Sequence, residues 1–182
     1  MVLRSGGLGR SYHRAMPTDL RLRPVRDSDL PFFFLHQQDI EANWMAAFGP
    51  ADPADRTAFD AHWARIRADP TVVSRTVVVG AEVVGHVNAF PADGRTEVSY
   101  WIDPGRWGRG YATGALTVLL GELTRRPVHA RVAKDNRASL AVLRKCGFVV
   151  TGEDQGYAPG RGVQVQEWIL ELAGPAPAPA LS

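Results

Sequence analysis

Residues 71–90 read TVVSRTVVVGAEVVGHVNAF, two β-branched runs that meet at Gly80-Ala81. Side chains branched at Cβ are stiff about their first torsion and favour a pleated sheet over a helix. A glycine at the junction permits a tight reversal, so the stretch predicts a hairpin. A hairpin in the middle of a chain needs partners on its edges and a cover for its apolar face, and the flanking segments supply both. Upstream, DLRLRPV alternates polar and apolar residues, the period of a half-buried strand. RDSDLPFFFLHQQDIEANWMAAF places Asp27 or Ser28 as a cap and Pro31 in the first turn, predicting one or two helices from near Leu30. Asp55 to Ala68 spaces Phe59, Trp63 and Ile66 at helical intervals, and Pro70 ends it.

Downstream, RTEVSYWI is a further strand, and a glycine-rich stretch leads into a helix of about fifteen residues that ends at Arg125-Arg126-Pro127. VHARVA is a strand, NRASLAVLRKCGF a helix closed by Gly147, and FVVTGEDQG with VQVQEWILEL a last antiparallel pair. The order β-αα-βββ-α-β-α-ββ predicts an α/β (α+β) fold, a mixed, mostly antiparallel sheet of about seven strands with helices on both faces. The boundaries expected are a flexible arm over 1–17, one domain over 18–173 and a disordered Pro/Ala tail, GPAPAPALS, over 174–182.

Several function classes drop out. Net charge is only +2 and the charges are interspersed, which argues against nucleic acid as the main ligand. Cys146 stands alone, excluding an internal disulfide and a cysteine metal cluster, and reads as a buried hydrophobe. His62, His86 and His129 lack ligand spacing, so no metal is expected. No apolar run approaches the ~18 residues of a membrane span. The opening MVLRSGGLGRSYHRAM lacks the apolar centre of a secretory signal, with Met16 as an alternative initiator, and the cytoplasm is the expected location.

DPGRWGRGYATGAL (103–116) carries the strongest functional signal. A tight strand-to-helix connection would need only one or two glycines. Gly108, Gly110 and Gly114 imitate a dinucleotide loop, but that loop opens a βαβ unit directly after its strand, and here Asp103-Pro104 intervene. A phosphate-binding Walker loop needs Gly-Lys-Ser/Thr, which is missing. The remaining reading uses the helix start itself. Backbone N–H groups from about Gly108 to Ala112, backed by the helix dipole, form an anion cradle suited to a pyrophosphate.

Two motifs carry a family resemblance. Gly110-Tyr111-Ala112 resembles the G-x-G/A core of motif A of the GNAT acetyltransferases. Trp107, in place of the usual Gln/Arg, and EVSYWIDPGRWGRGYATGAL as a whole are similar to the RimJ/RimL-like branch, which acetylates ribosomal-protein N-termini and related amines. DNRASLAVLRKCGF resembles that branch's second signature through Asn136, Ser139, Lys145, Gly147 and Phe148. The resemblance spans roughly residues 18–172 and implies a GNAT fold with acetyl-coenzyme A as co-substrate, held by Trp107, Gly108, Arg109, Gly110, Tyr111, Ala112 and Thr113. It further implies that the strand before the motif splays from its neighbour, so that the backbone of Ser99 to Ile102, including Trp101 and Ile102, pairs with the pantetheine arm.

Acetyl transfer from a thioester to an amine needs in-line positioning, a neutral amine and a tolerated thiolate. Strand alternation puts Glu97, Ser99 and Trp101 on one face and Val98, Tyr100 and Ile102 on the other. Glu97 matches an acidic position of the branch and is the expected proton acceptor, directly or through water; the alternative is a solvated or salt-bridged carboxylate. The resemblance places Asn136 on the pantetheine and Ser139 near the sulfur as proton donor, since Leu143 stands where many members carry a catalytic tyrosine. Both residues also suit helix capping. Gly114 replaces the branch's usual Glu, which leaves a non-catalytic acyl-CoA-binding sensor open as an alternative. For the acceptor, the resemblance points to Phe33, His36, Asn43 and Trp44 on the first helices, Glu97 on the strand, and Tyr157 in the loop GYAPGRGVQ. A protein N-terminus is the favoured acceptor, with a small amine (amino acid, polyamine or antibiotic) as the alternative, and a homodimer is a possible assembly.

Overall fold

The computed structural model describes residues 19–174. The arm expected over 1–17 and all of the expected tail except Gly174 lie outside the described residues. Seven strands form one sheet in the order β1-β2-β3-β4-β5-β7-β6. They are β1 (Leu20–Pro24), β2 (Val73–Val79), β3 (Glu82–Ala92), β4 (Arg95–Ile102), β5 (Val128–Ala133), β6 (Val149–Ala158) and β7 (Val163–Leu172). Every neighbouring pair is antiparallel except β4 and β5. The central hairpin turns where Gly80 takes φ +61°, and Asp93-Gly94, both at positive φ, close the next one.

The first apolar stretch divides into α1 (Leu30–Gln37) and α2 (Ile40–Ala46), because Asp39 caps the second helix by accepting from the Ala42 amide at 2.8 Å. With α3 (Arg56–Ala68), three helices precede β2. On this side of the sheet Phe33, Phe59 and Trp63 form a core against Val83. The opposite face, from Val87, Val98, Val128 and Leu170, packs on α4 (Tyr111–Glu122) and α5 (Arg137–Lys145). Helix α4 stops short of the expected Arg125-Arg126-Pro127 boundary: Leu123 is already extended, and the Arg126 guanidinium satisfies the carbonyls of Leu120 and Leu123 at 2.8 and 3.0 Å. Gly114 is buried within α4.

One buried carboxylate ties the entrance of the fold together. Asp29, 1% exposed, accepts from Arg23 at 2.6 and 2.7 Å, from the Thr76 hydroxyl at 2.6 Å and from the Arg26 amide at 2.9 Å. Burial pushes its carboxyl up, but these donors outweigh burial and hold it below the usual carboxylate range.

Candidate functional site

The parallel pair β4–β5 is joined only at Thr96↔Val128 and Glu97↔His129. Beyond Glu97 the β5-facing edge of β4 has no partner strand, so the sheet opens into a V at its centre. Backbone groups on such an edge need a ligand or water to satisfy them. The opening is part of a cleft of about 1780 Å³. That exceeds the usual range of a small-molecule pocket and leaves room for two reactants.

The glycine-rich stretch forms one end of the cleft. Gly108 and Gly110 take φ +73° and +86°, values that favour glycine, and a Cβ built on either meets nothing within 4 Å. Gly110 is the N-cap of α4 and no side chain caps that helix, so the amides of Tyr111, Ala112 and Thr113 have no intrahelical acceptor. The arrangement presents donors and the positive end of a twelve-residue helix to open space, which suits an anion. The Trp107 indole donates to the Ile102 carbonyl at 2.9 Å, pinning the loop to the end of β4. Trp101, Ile102, Trp107, Gly108, Arg109, Gly110, Tyr111, Ala112, Thr113, Asn136 and Ser139 all line the cleft.

Helix α5 contributes the next wall. Asn136 caps it by accepting from the Ser139 amide at 3.0 Å, and its amide group donates to the Met45 carbonyl at 2.9 Å. Both ends of that side chain therefore serve the protein's own backbone. The Ser139 hydroxyl lies 2.7 Å from the Tyr100 hydroxyl across the gap. Burial pushes the Tyr100 phenol up to about 12, the Ser139 hydrogen bond pulling the other way, so it is neutral at physiological pH.

On the other face of β4, Glu97 is half-buried and lines the cleft where the strands part. Burial pushes its carboxyl above the ordinary value, and the Arg131 charge moderates the rise. Arg131 is itself committed, to Glu167 and, at 2.7 Å, to Asp154.

The acceptor-side residues divide. Phe33 and Glu97 line the cleft; His36, Asn43, Trp44 and Tyr157 are not among its lining residues. His36 is buried behind the wall with its Nε2 4.0 Å from Asp103. Asn43 donates to the Pro50 carbonyl at 3.1 Å and packs so tightly on Gly49 that a Cβ there would lie 2.3 Å from its Oδ1. Trp44 turns outward, its ring 5.1 Å from the Arg161 guanidinium, and Tyr157 is 59% exposed. Arg161 straps this corner: it donates to the Trp44 carbonyl at 2.7 Å and to both oxygens of Asp135 at 2.6 and 3.0 Å.

The cleft also contains residues that sequence reading passed over. His86, Asn88 and Phe90 on β3 pair with Trp101, Ser99 and Glu97 on β4 and face the cleft with them. The signal that could have found them is the Asp93-Gly94 turn, which sets the hairpin register. Among the described residues no group of three or more His, Cys, Asp or Glu is placed to hold a metal, and no helix is long and apolar enough to cross a membrane.

Comparison with known proteins agrees with this geometry. The acetyltransferase (GNAT) domain family matches residues 19–149. No curated protein matches the chain. Among solved structures, the chain is similar to the Vibrio cholerae spermidine N-acetyltransferase in complex with CoA and spermine, with a TM-score of 0.71 at 17% identity, covering 85% of this chain and 95% of that one. Mycobacterium smegmatis RimJ, in complex with CoA-disulfide, aligns with a TM-score of 0.71 at 22% identity, covering 85% of this chain and 81% of that one. The microcin C7 self-immunity acetyltransferase MccE, in complex with acetyl-CoA and AMP, gives 0.73 at 17% identity, covering 86% and 93%. These likenesses show the shared fold, and the family match takes in most of the described chain. The protein belongs to the GNAT acetyltransferases and catalyses acetyl-CoA-dependent acetyl transfer.

Proposed function

We propose that the acceptor is a protein N-terminal α-amino group, attacked directly in a ternary complex, and that the chain is of the RimJ/RimL-like branch. One observation carries this reading. Of the four carboxylates that line the cleft, Glu167 is bound to Arg131, Asp55 caps α3 through the Ala58 amide, and Asp69 accepts from Thr71. Glu97 alone among them has no hydrogen bond or ion pair. A polyamine carries several cations that call for several open carboxylates, whereas a single amine needs one.

The roles follow from placement. The amides at the start of α4 take the pyrophosphate of acetyl-CoA, and the open edge of β4 beyond Glu97 takes the pantetheine arm. Glu97 accepts the proton of the attacking amine. An α-amino group titrates near ~8, so a carboxyl raised above its ordinary value is better matched to that transfer. As the nitrogen–carbon bond forms and the carbon–sulfur bond breaks, Ser139 is the proton donor to the departing sulfur. The Tyr100 hydroxyl, 2.7 Å from Ser139 Oγ, shares a hydrogen bond with the serine and holds it at the cleft wall.

The test is thiol release from acetyl-CoA over N-terminal peptides, spermidine and single amino acids. Acetylation of peptide α-amines ahead of the others is expected; turnover confined to spermidine or to small amines would overturn the reading.

A further inference from the structure

Helix α2 ends at the cleft, which Met45, Ala46 and Phe48 line. A helix leaves its last four carbonyls without intrahelical partners. Here the Trp44 carbonyl accepts from the Arg161 guanidinium at 2.7 Å and the Met45 carbonyl from the Asn136 side-chain amide at 2.9 Å. The Ala46 carbonyl accepts from the Phe48 amide at 2.6 Å, and the Ala47 carbonyl from the Gly160 amide at 3.0 Å.

The bond from Phe48 to Ala46 closes a three-residue γ-turn. Ala47 at its centre takes φ +61° and ψ −52°, the rare and strained form of that turn. Such outliers persist only where the surroundings over-determine them, and they gather at functional sites. The surroundings here are close. Ala47 is fully buried with Ala133 and Ala158, and a Cβ built on Gly160 would lie 3.0 Å from the Ala47 carbonyl oxygen.

The groups that hold this turn also hold α5. Asn136 caps α5, and Ser139 stands in the first turn of that helix. Arg161, its side chain 5% exposed, binds both oxygens of Asp135, the residue before Asn136, at 2.6 and 3.0 Å. These bonds hold the Asp135 carboxyl below its ordinary value, so it stays anionic. A planar guanidinium can grip a carboxylate with two donors and a carbonyl with a third, which an ammonium cannot match.

We infer that Arg161 is a positioning residue for acetyl transfer: by binding the end of α2 and Asp135 at once, it sets the Met45–Phe48 wall of the cleft against Ser139 on α5. The amides at the start of α4 lie outside this clamp, so the grip on the pyrophosphate is independent of it. The inference rests on the roles proposed above for the acceptor and Ser139, and adds the residue that holds the two sides in register.

The experiment measures kcat and KM for an N-terminal peptide, CoA affinity by calorimetry and the melting temperature. It compares Arg161→Met, Asp135→Asn and the double variant. Arg161→Met is expected to lower kcat/KM at least about tenfold, the size of one hydrogen bond to a charged group, while CoA affinity changes less than about twofold. Asp135 is 61% exposed, so Asp135→Asn keeps the fold while breaking the ion pair; a severalfold loss of kcat/KM is expected. The double variant should fall no further than Arg161→Met alone, whereas independent effects would multiply. Single variants that melt earlier but keep wild-type kcat/KM, a matching loss of CoA affinity, or multiplying effects would each overturn the inference. If spermidine is acetylated and no peptide is, the N-terminal acceptor fails, and the same cycle run on spermidine decides the clamp separately.

Discussion

The Tyr100 hydroxyl, on β4, lies 2.7 Å from Ser139 Oγ, on the first turn of α5, and 3.3 Å from the Ser139 carbonyl. The two groups meet across the gap where β4 and β5 have parted. This places a neutral phenol beside the serine at the start of α5.

Ser139→Ala is expected to lower kcat by about 10²-fold, the range for removal of a general acid, with a smaller change in CoA affinity. Tyr100→Phe loses only the hydrogen bond to the serine and is expected to lower kcat by about tenfold. Steady-state kinetics beside calorimetric CoA titration separate the two effects. A loss confined to CoA affinity would reassign Ser139 to binding.

Glu97→Gln is expected to lower kcat/KM by about 10²-fold and to remove one limb of its pH profile. A base must be ionised to act, so wild-type activity falls as pH drops through the carboxyl's titration. Burial sets that limb above the ordinary glutamate range. An unchanged profile in the variant would leave the proton to water.

Gly110→Ala is expected to weaken CoA binding at least tenfold. The residue holds φ +86° at the N-cap of α4, where an L side chain is strained by roughly 1–2 kcal/mol. Relief of that strain rotates the first amides of the helix away from their common direction. Calorimetry reads the change, and thermal unfolding checks the fold.

Stability at low pH divides between two kinds of group. His86, half-buried and neutral, titrates normally near 6.5 when unfolded and is pushed down to about 3 when folded, so its contribution is complete above pH 6.5 and declines as pH falls toward 3. Asp29, with its titration held down, contributes fully above the unfolded carboxylate value near ~4 and loses that contribution as pH falls through its folded value. The melting temperature should therefore drop in two stages, and His86→Phe should flatten the first.

Asp29→Ala is expected to destabilise the fold by about 3–5 kcal/mol, because Arg23 and Thr76 lose a fully buried partner. Denaturant unfolding at pH 7 measures it. A cost below about 1 kcal/mol would mean that the 3₁₀ turn at Asp27–Asp29 is held by packing alone.

Local chemistry made the scaffold and half of the cleft legible. β-branched runs, alternation, Pro stops and Asp caps act over a few residues, and they place the seven strands and most helix ends. The glycine cradle is legible for the same reason, since positive φ and free first-turn amides are properties of one short segment. The helix α4 boundary was less so, because Arg126 satisfies its last carbonyls by folding back from beyond it.

The acceptor side belongs to the tertiary structure. His86, Asn88 and Trp101 become neighbours only through the β3–β4 register, and Trp44 leaves the cleft because Arg161, far along the chain, binds its carbonyl and stacks on its ring. By itself the sequence determined where an anion could be gripped and which strand runs beside it, because backbone conformation and helix dipoles are local. Which side chains face the acceptor was decided by pairing and packing between distant segments, whose energies depend on partners that local patterns do not specify.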